Sequence, residues 1–287
     1  MKDSKKIKIY FGDTLSQGRG QGEGLNTISK FLLFLLYSIF FLAKNSNSQE
    51  ACGIDKVNFK RGERIEYHVK YMWMDGGTAV LSITNEEKTY YGKKTFHMIG
   101  TGNSEGMFDW FFKVRDKYES YIDQETIIPY DFIRRVDEGG YKIEQDVLFN
   151  QTTNTAVSRK GTYNVPNCIQ DIFSAFYYSR CLNYDTLKIG DAADIVTFLD
   201  DEIYPMKIRY VGDEILKTGL GSFKCQKFMP MVQEGRLFKD KEGMTIWMSA
   251  DKNHIPIRLQ ADLLVGAIKI DLTCYSGLLY PIAEVKK

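Results

Sequence analysis

The residues able to do chemistry are scattered along this chain. Arg115-Asp116, followed by Lys117 and Glu119, sets opposite charges inside one strand-like stretch and could serve as acid–base machinery. Ion pairs between neighbouring strands account for the same residues without any reaction, and that reading is preferred. Asp200-Asp201-Glu202 gathers carboxylates, with Asp240 and Glu242 further on. A hard cation needs several oxygens converging from more than one segment, and the calcium-loop spacing is absent, so a solvated hairpin tip is expected. Arg134-Arg135 and Arg258 could clamp an anionic headgroup, although one of two adjacent side chains in a strand usually points to solvent. His68, His97 and His254 form no HExxH and read as packed or surface residues. No GxSxG, glycine-rich phosphate loop with lysine, or zinc signature occurs. Paired carboxylates for sugar hydrolysis are recognised by distance, not by sequence. No catalytic residue, metal ligand or cofactor is therefore assigned.

The densest local feature is aromatic: Met107-Phe108-Asp109-Trp110-Phe111-Phe112. Alternation along a strand puts Phe108, Trp110 and Phe112 on one face. These residues can line an apolar pocket, touch a membrane or partner from an exposed loop, or simply fill the core at a strand end, and the last is preferred. The five cysteines are Cys52, Cys168, Cys181, Cys225 and Cys274. An odd count leaves one unpaired or bridging two chains. Cys168 and Cys181, if both on one helix, stand about 20 Å apart, whereas a disulfide needs Cα atoms within about 7 Å. With no CxxC pattern, the cysteines read as buried small hydrophobes.

The elements that must position these residues are mostly strands. Period-two or β-rich runs cover 64–73, 78–84, 94–100, 113–121, 130–136, 141–149 and 155–159, then 194–198, 203–210, 223–230, 244–248, 257–261 and 267–275. Glycine and aspartate turns such as Asp75-Gly76-Gly77 and Glu138-Gly139-Gly140 join them, which indicates antiparallel hairpins. So many strands exceed one flat sheet, and a curled antiparallel sheet is expected, as a barrel, half-barrel or two-sheet sandwich. One segment breaks the pattern: 168–182 carries Ile169, Ile172, Phe173, Phe176 and Tyr177 at helical spacing. Asn167 and Gln170 resemble a capping box, and Asp171 in the first turn and Arg180 in the last complement the helix dipole. Little of this helix is polar, so it is placed against the concave face of the sheet.

The chain is 44% hydrophobic and 14% aromatic, with 38 basic against 37 acidic side chains. Those values exclude a disordered chain and a nucleic-acid binder acting through bulk charge. The run Phe31–Ala43 is thirteen uncharged residues behind Lys30. It is too short for a comfortable membrane span of about 20 residues and suits a secretory signal, the alternative being an uncleaved anchor. Cleavage is placed between Ser48 and Gln49. Residues 25–48 form an ordinary signal peptide, and the polar 1–24 reads as a start-site artefact. No lipobox precedes Cys52. The remaining 49–287 is expected to be a single all-β domain with a formal charge of −3 and no stable transmembrane span.

Several stretches together resemble exported bacterial proteins carrying the domain of unknown function 3108. They are Gly62–Ile83, Phe111–Asp123, Asp171–Arg180, Asp200–Gly212 and Glu242–Leu272. The resemblance implies an exported, mostly β protein of the Gram-negative periplasm or outer envelope, and it implies no reaction. The leading expectation is a non-enzymatic binder of a lipid or other apolar ligand. Phe108, Trp110 and Phe112, with Phe173, Phe176 and Tyr177 of the helix, would line its site. The alternatives are an envelope scaffold pairing a protein partner with a free sheet edge, and a glycan or lipid hydrolase. A void of several hundred cubic ångströms between helix and sheet would indicate cargo.

Overall fold

A computed structural model describes residues 52, 54, 56–184, 186–230, 243–264 and 266–285. The leader (1–24 and 25–48), its cleavage point, and Asp240 and Glu242 lie outside the described residues. The first half runs β1 (Arg64–Tyr71), β2 (Met74–Ile83), β3 (Lys88–Tyr90), β4 (Lys93–Ser104), α1 (Gly106–Phe111), β5 (Arg115–Asp123), β6 (Pro129–Glu138), β7 (Tyr141–Asn150), β8 (Thr155–Ser158) and β9 (Gly161–Asn164). After α2 (Ile172–Arg180) come β10 (Ala192–Leu199), β11 (Glu202–Thr218), β12 (Gly221–Pro230), β13 (Met244–Ser249), β14 (Pro256–Asp262) and β15 (Ala267–Ser276).

All fifteen strands form one antiparallel sheet, ordered β10-β11-β12-β13-β14-β15-β1-β2-β4-β5-β6-β7-β8-β9, with β3 on β4. The β1–β15 pairing, Arg64 opposite Ser276 to Tyr71 opposite Ile268, stitches the two meanders together. Alternation explains the curl. Ile65 and Tyr67, Leu81 and Ile83, Phe96 and Met98, and Phe132 and Val136 all turn inward and are buried. The outermost strands meet through side chains and not through a ladder. Phe198 of β10 packs on Phe149 and Tyr163, 6.1 and 5.4 Å between ring centroids. Lys160 pairs with Asp201 at 2.9 Å. The sheet is thus a curled half-barrel whose gap is narrowed by side chains.

The helix lies on the concave face as the sequence indicates, but it is shorter. Cys168 has φ +60°, and Gln170 still runs as strand, donating its N–H to the Val196 carbonyl and accepting from Phe198 N–H. The helix therefore starts at Ile172, and its cap is Asp171, not Asn167. Asp171 Oδ1 accepts from Phe173 N and Ser174 N at 2.6 Å each, and Ser174 Oγ accepts from Asp171 N at 2.9 Å. Phe173, Phe176 and Tyr177 are all buried. Each such ring contributes about 1.5–3 kcal/mol by leaving water.

Arg180 stands in the last turn of the helix as expected, and it is buried in an ion pair as well. It is 0% exposed and Glu63 is 1% exposed. Its Nη1 and Nη2 donate to the two Glu63 oxygens at 2.6 and 2.9 Å, and Nε donates to the Asn253 carbonyl at 3.0 Å. The guanidinium also lies 5.3 Å from the ring centroids of Phe59 and Tyr177. Its own carbonyl accepts from Asn58 Nδ2 and, at 2.9 Å, from His254 Nδ1. The cysteines need correction as well. Cys52 and Cys168 form a disulfide across 116 residues, with Cα atoms 5.4 Å apart. Cys181 and Cys225 are buried thiols, and Cys274 is exposed.

Glu63→Gln leaves Arg180 charged and half-partnered, so urea unfolding should show a loss of about 3–5 kcal/mol. The joint replacement Glu63→Leu with Arg180→Met should cost less than that single change; a larger cost would show that the pair stabilises beyond its own desolvation. Cys52→Ser should lower stability by about 2–4 kcal/mol without reductant. Reduced wild type should fall to the same level, and insensitivity to reductant would contradict the disulfide's contribution.

Candidate functional site

The concave face holds a cavity of about 100 Å³, partly open to solvent, between α1 and α2. Its floor comes from Tyr67, Val69 and Tyr71 of β1, Ala79 and Leu81 of β2, and Gly100 and Gly102 of β4. Leu259 of β14 and Ile268 and Ile270 of β15 close one side, and Phe108 and Phe176 project from the two helices. The lining is apolar except toward Thr78, Thr101, Asn103, Ser104 and Asp116 and the tyrosine hydroxyls. The void follows from small residues opposite large ones. Gly100 lets Phe173 sit where a Cβ would stand 2.8 Å from its ring, whereas at Gly102 a Cβ would meet nothing nearer than Asp116 Cβ at 3.8 Å.

Six aromatic residues were expected at the site, and the structure brings two of them, Phe108 and Phe176, to the cavity wall. Residues 106–111 form a helix, not a strand, so Phe108 and Phe112 share the inner side four residues apart. Trp110 is 82% exposed and does not line the cavity. Phe112 lies under α1 against Gly139, where a Cβ would stand 2.5 Å from that ring and where the φ of +59° would strain a side chain. Phe173 packs on Gly100, and Tyr177 packs 5.2 Å from Phe59. The helix forms because Arg115 grips Asp109 with Nη1 and Nη2 at 2.7 and 3.1 Å, and that guanidinium lowers the Asp109 carboxyl to about 2. Met107, Trp110 and Phe111, with Met72 and Trp73 of the β1–β2 turn, are left as exposed apolar side chains flanking the cavity.

The charged candidates also find their places. The cross-strand pairing expected for Arg115-Asp116 is replaced by the α1 clamp and by burial of Asp116. Lys117 pairs with Glu119 on its own strand at 2.7 Å. Arg135 faces outward to Asp146 at 2.6 Å, while Arg134 is 1% exposed and donates to Asp200 at 2.5 Å. Asp200 and Asp201 are indeed a hairpin tip, but each holds a basic partner. His97 lies between Glu86 and Glu119, 2.9 Å from each, and stacks on Tyr121.

The cavity floor was missed because the room above it comes from the side chains that Gly100 and Gly102 lack. The available signal was Gly100-Thr101-Gly102 inside a strand, since interior glycines mark a close approach or an opening. Buried Asp171 holds Phe176 in place through the cap and through Ser120 Oγ, which donates to its Oδ2 at 2.7 Å. Burial outweighs these bonds and raises its carboxyl to about 6. The folded state therefore binds this proton more tightly than the unfolded chain, and the stabilisation is complete below about pH 4 and lost as pH rises through about 6. Asp171→Asn should be flat in this window. Wild-type stability relative to the variant should fall by about 3 kcal/mol between pH 4 and 7 in urea titrations; a constant difference would contradict the shift.

The family model described as a protein of unknown function (DUF3108) matches residues 66–273. No curated protein matches the sequence. Among solved structures, a β-barrel-like protein of the domain of unknown function DUF1849 from Brucella abortus aligns with 9% identity and TM-score 0.45, covering 75% of this chain and 96% of that one. A protein with a YmcC-like fold from Bacteroides fragilis aligns with 12% identity and TM-score 0.30, covering 78% and 100%.

Proposed function

The chain belongs to the DUF3108 family of proteins of unknown function, and we propose that it is an exported, non-enzymatic binder of an apolar chain. The observation that carries this reading is the cavity with its apolar lining between α1 and α2. At about 100 Å³ it falls short of the several hundred that would enclose a whole lipid. A cavity of roughly 150 Å³ takes up benzene, so this one suits the end of an alkyl chain. The exposed Met107, Trp110, Phe111 and Trp73 beside it offer apolar surface to the remainder.

Export to the periplasm or outer envelope is supported by the leader-like sequence and by the Cys52–Cys168 disulfide, since such bonds persist in oxidising compartments. Among the described residues no helix is long and apolar enough to cross a membrane. Two features favour binding over the other expectations. Gln170 occupies part of the outer edge of β10, which leaves less edge for a partner's strand. The Asp116 and Glu138 carboxyls lie against each other, closer than the roughly 5 Å or more between the carboxyls of a glycosidase.

Gly102→Val tests the reading, because its side chain enters the cavity without striking backbone. Calorimetry with n-octyl amphiphiles should show affinity reduced at least about tenfold while thermal stability holds or rises. Unchanged affinity would remove the cavity as the binding site.

A further inference from the structure

The wall of the cavity that carries Asp116 has a chemistry the rest of the lining lacks. Resting on the reading that the cavity takes an apolar chain, we infer that the chain ends in a hydrogen-bond-donating head, a hydroxyl or a protonated amine, received by Asp116. Among the described residues Asp116 is the one charged side chain in the lining, and it is 4% exposed. It stands opposite Gly102 in the β4–β5 register, beside the most open part of the floor. Its Oδ1 accepts from the Asp137 N–H at 3.2 Å, and the Glu138 carboxyl meets it from β6.

The other oxygen, Asp116 Oδ2, is buried without a partner among the described residues, so this carboxyl has acceptor capacity to spare. Tyr118 and Arg134, a cross-strand pair, lie in the same inward row. The Tyr118 hydroxyl and the Nε and Nη1 of Arg134 are buried without a partner among the described residues. The third guanidinium nitrogen, Nη2, is taken by Asp200. Asp116 and Asp200 thus set two carboxyls against one guanidinium. A carboxylate or phosphate head entering from the cavity meets Asp116 first, at the cost of like-charge repulsion. A hydroxyl or ammonium head instead makes a charge-assisted bond to it. A site built on buried polar groups rejects a ligand that leaves them unpaired, which gives the selection its force.

Titration of the full chain with n-octylamine, n-octanol and n-octanoate at about pH 7 is the test. Amine and alcohol should each bind at least about tenfold more tightly than octanoate, the ratio expected of a hydrogen bond to a charged group. Asp116→Asn should weaken the amine about tenfold and narrow the gap to octanoate. Octanoate binding as tightly as the amine, or an Asp116→Asn variant with unaltered preference, overturns the head assignment. If Gly102→Val still abolishes binding of all three, the cavity reading survives that result. Failure of all three to bind the wild-type protein overturns both.

Wild type provides a second readout that does not depend on the variant folding. Burial raises the Asp116 carboxyl to about 6, with Glu138, Asp137 and Arg134 as the charged groups facing it. Its charge, and hence its hold on the amine, grows as pH rises through that value. Octylamine affinity should increase about tenfold from pH 5 to pH 7, and by more than that of octanol. A flat amine profile counts against the inference.

Discussion

The fold depends on one buried ion pair. Arg180 closes α2, and through Glu63 it fixes the strand that joins the two meanders, since Glu63 immediately precedes β1. The same guanidinium holds the Asn253 carbonyl, and its backbone carbonyl takes up Asn58 and His254. Two chain segments far apart in sequence, 58–63 and 253–254, are therefore tied to the last residue of a nine-residue helix. A helix that short has little stability of its own, and its position must come from tertiary anchors. The other end is anchored with equal completeness, by the Asp171 cap, the Ser120 hydroxyl and the Cys52–Cys168 bond.

Anchoring at both ends is what allows a cavity to exist between them. A loosely held apolar helix would settle onto the sheet until no void remained, because dense packing is favoured wherever side chains can reach. Here Phe173 already touches the floor at Gly100, while Phe176 one turn later faces Gly102 and Ala79 across open space. The bonds from Arg180 to Glu63 oppose a tilt that would close that gap.

Much of the architecture was legible in the sequence, and the reasons are local. Alternation such as Arg64–Tyr71 or Pro129–Glu138 marks a half-buried strand directly, because the pleat repeats every two residues. The apolar spacing of Ile172, Phe173, Phe176 and Tyr177 marked the helix for the same kind of reason. What stayed hidden is nonlocal. Nothing near Arg180 points to Glu63, 117 residues earlier, and nothing near Cys168 points to Cys52. The start of α2 was misplaced because Gln170 is recruited as strand by β10, an interaction that overrides its helical context. Phe108, Trp110 and Phe112 misled for a simpler reason. Six residues satisfy both periods, and the Asp109–Arg115 clamp that decides for helix has its second half in the next strand.

The two buried arginines make an instructive contrast within one fold. Arg180 spends all three guanidinium nitrogens on Glu63 and Asn253, whereas Arg134 spends Nη2 on Asp200 and leaves Nε and Nη1 without a partner among the described residues. Both bear the cost of desolvation, and only the first offsets it fully through geometry. If internal stability were the sole requirement, apolar residues at Arg134, Asp116 and Glu138 would fill the concave face of β5 and β6 at lower cost. The saturated arginine lies at the helix end, where the structure needs a rigid tie. The unsaturated group includes a carboxyl in the cavity wall, where spare hydrogen-bonding capacity remains available to whatever enters. Placement thus separates a group whose work is finished on folding from one whose hydrogen bonding is left incomplete by folding alone.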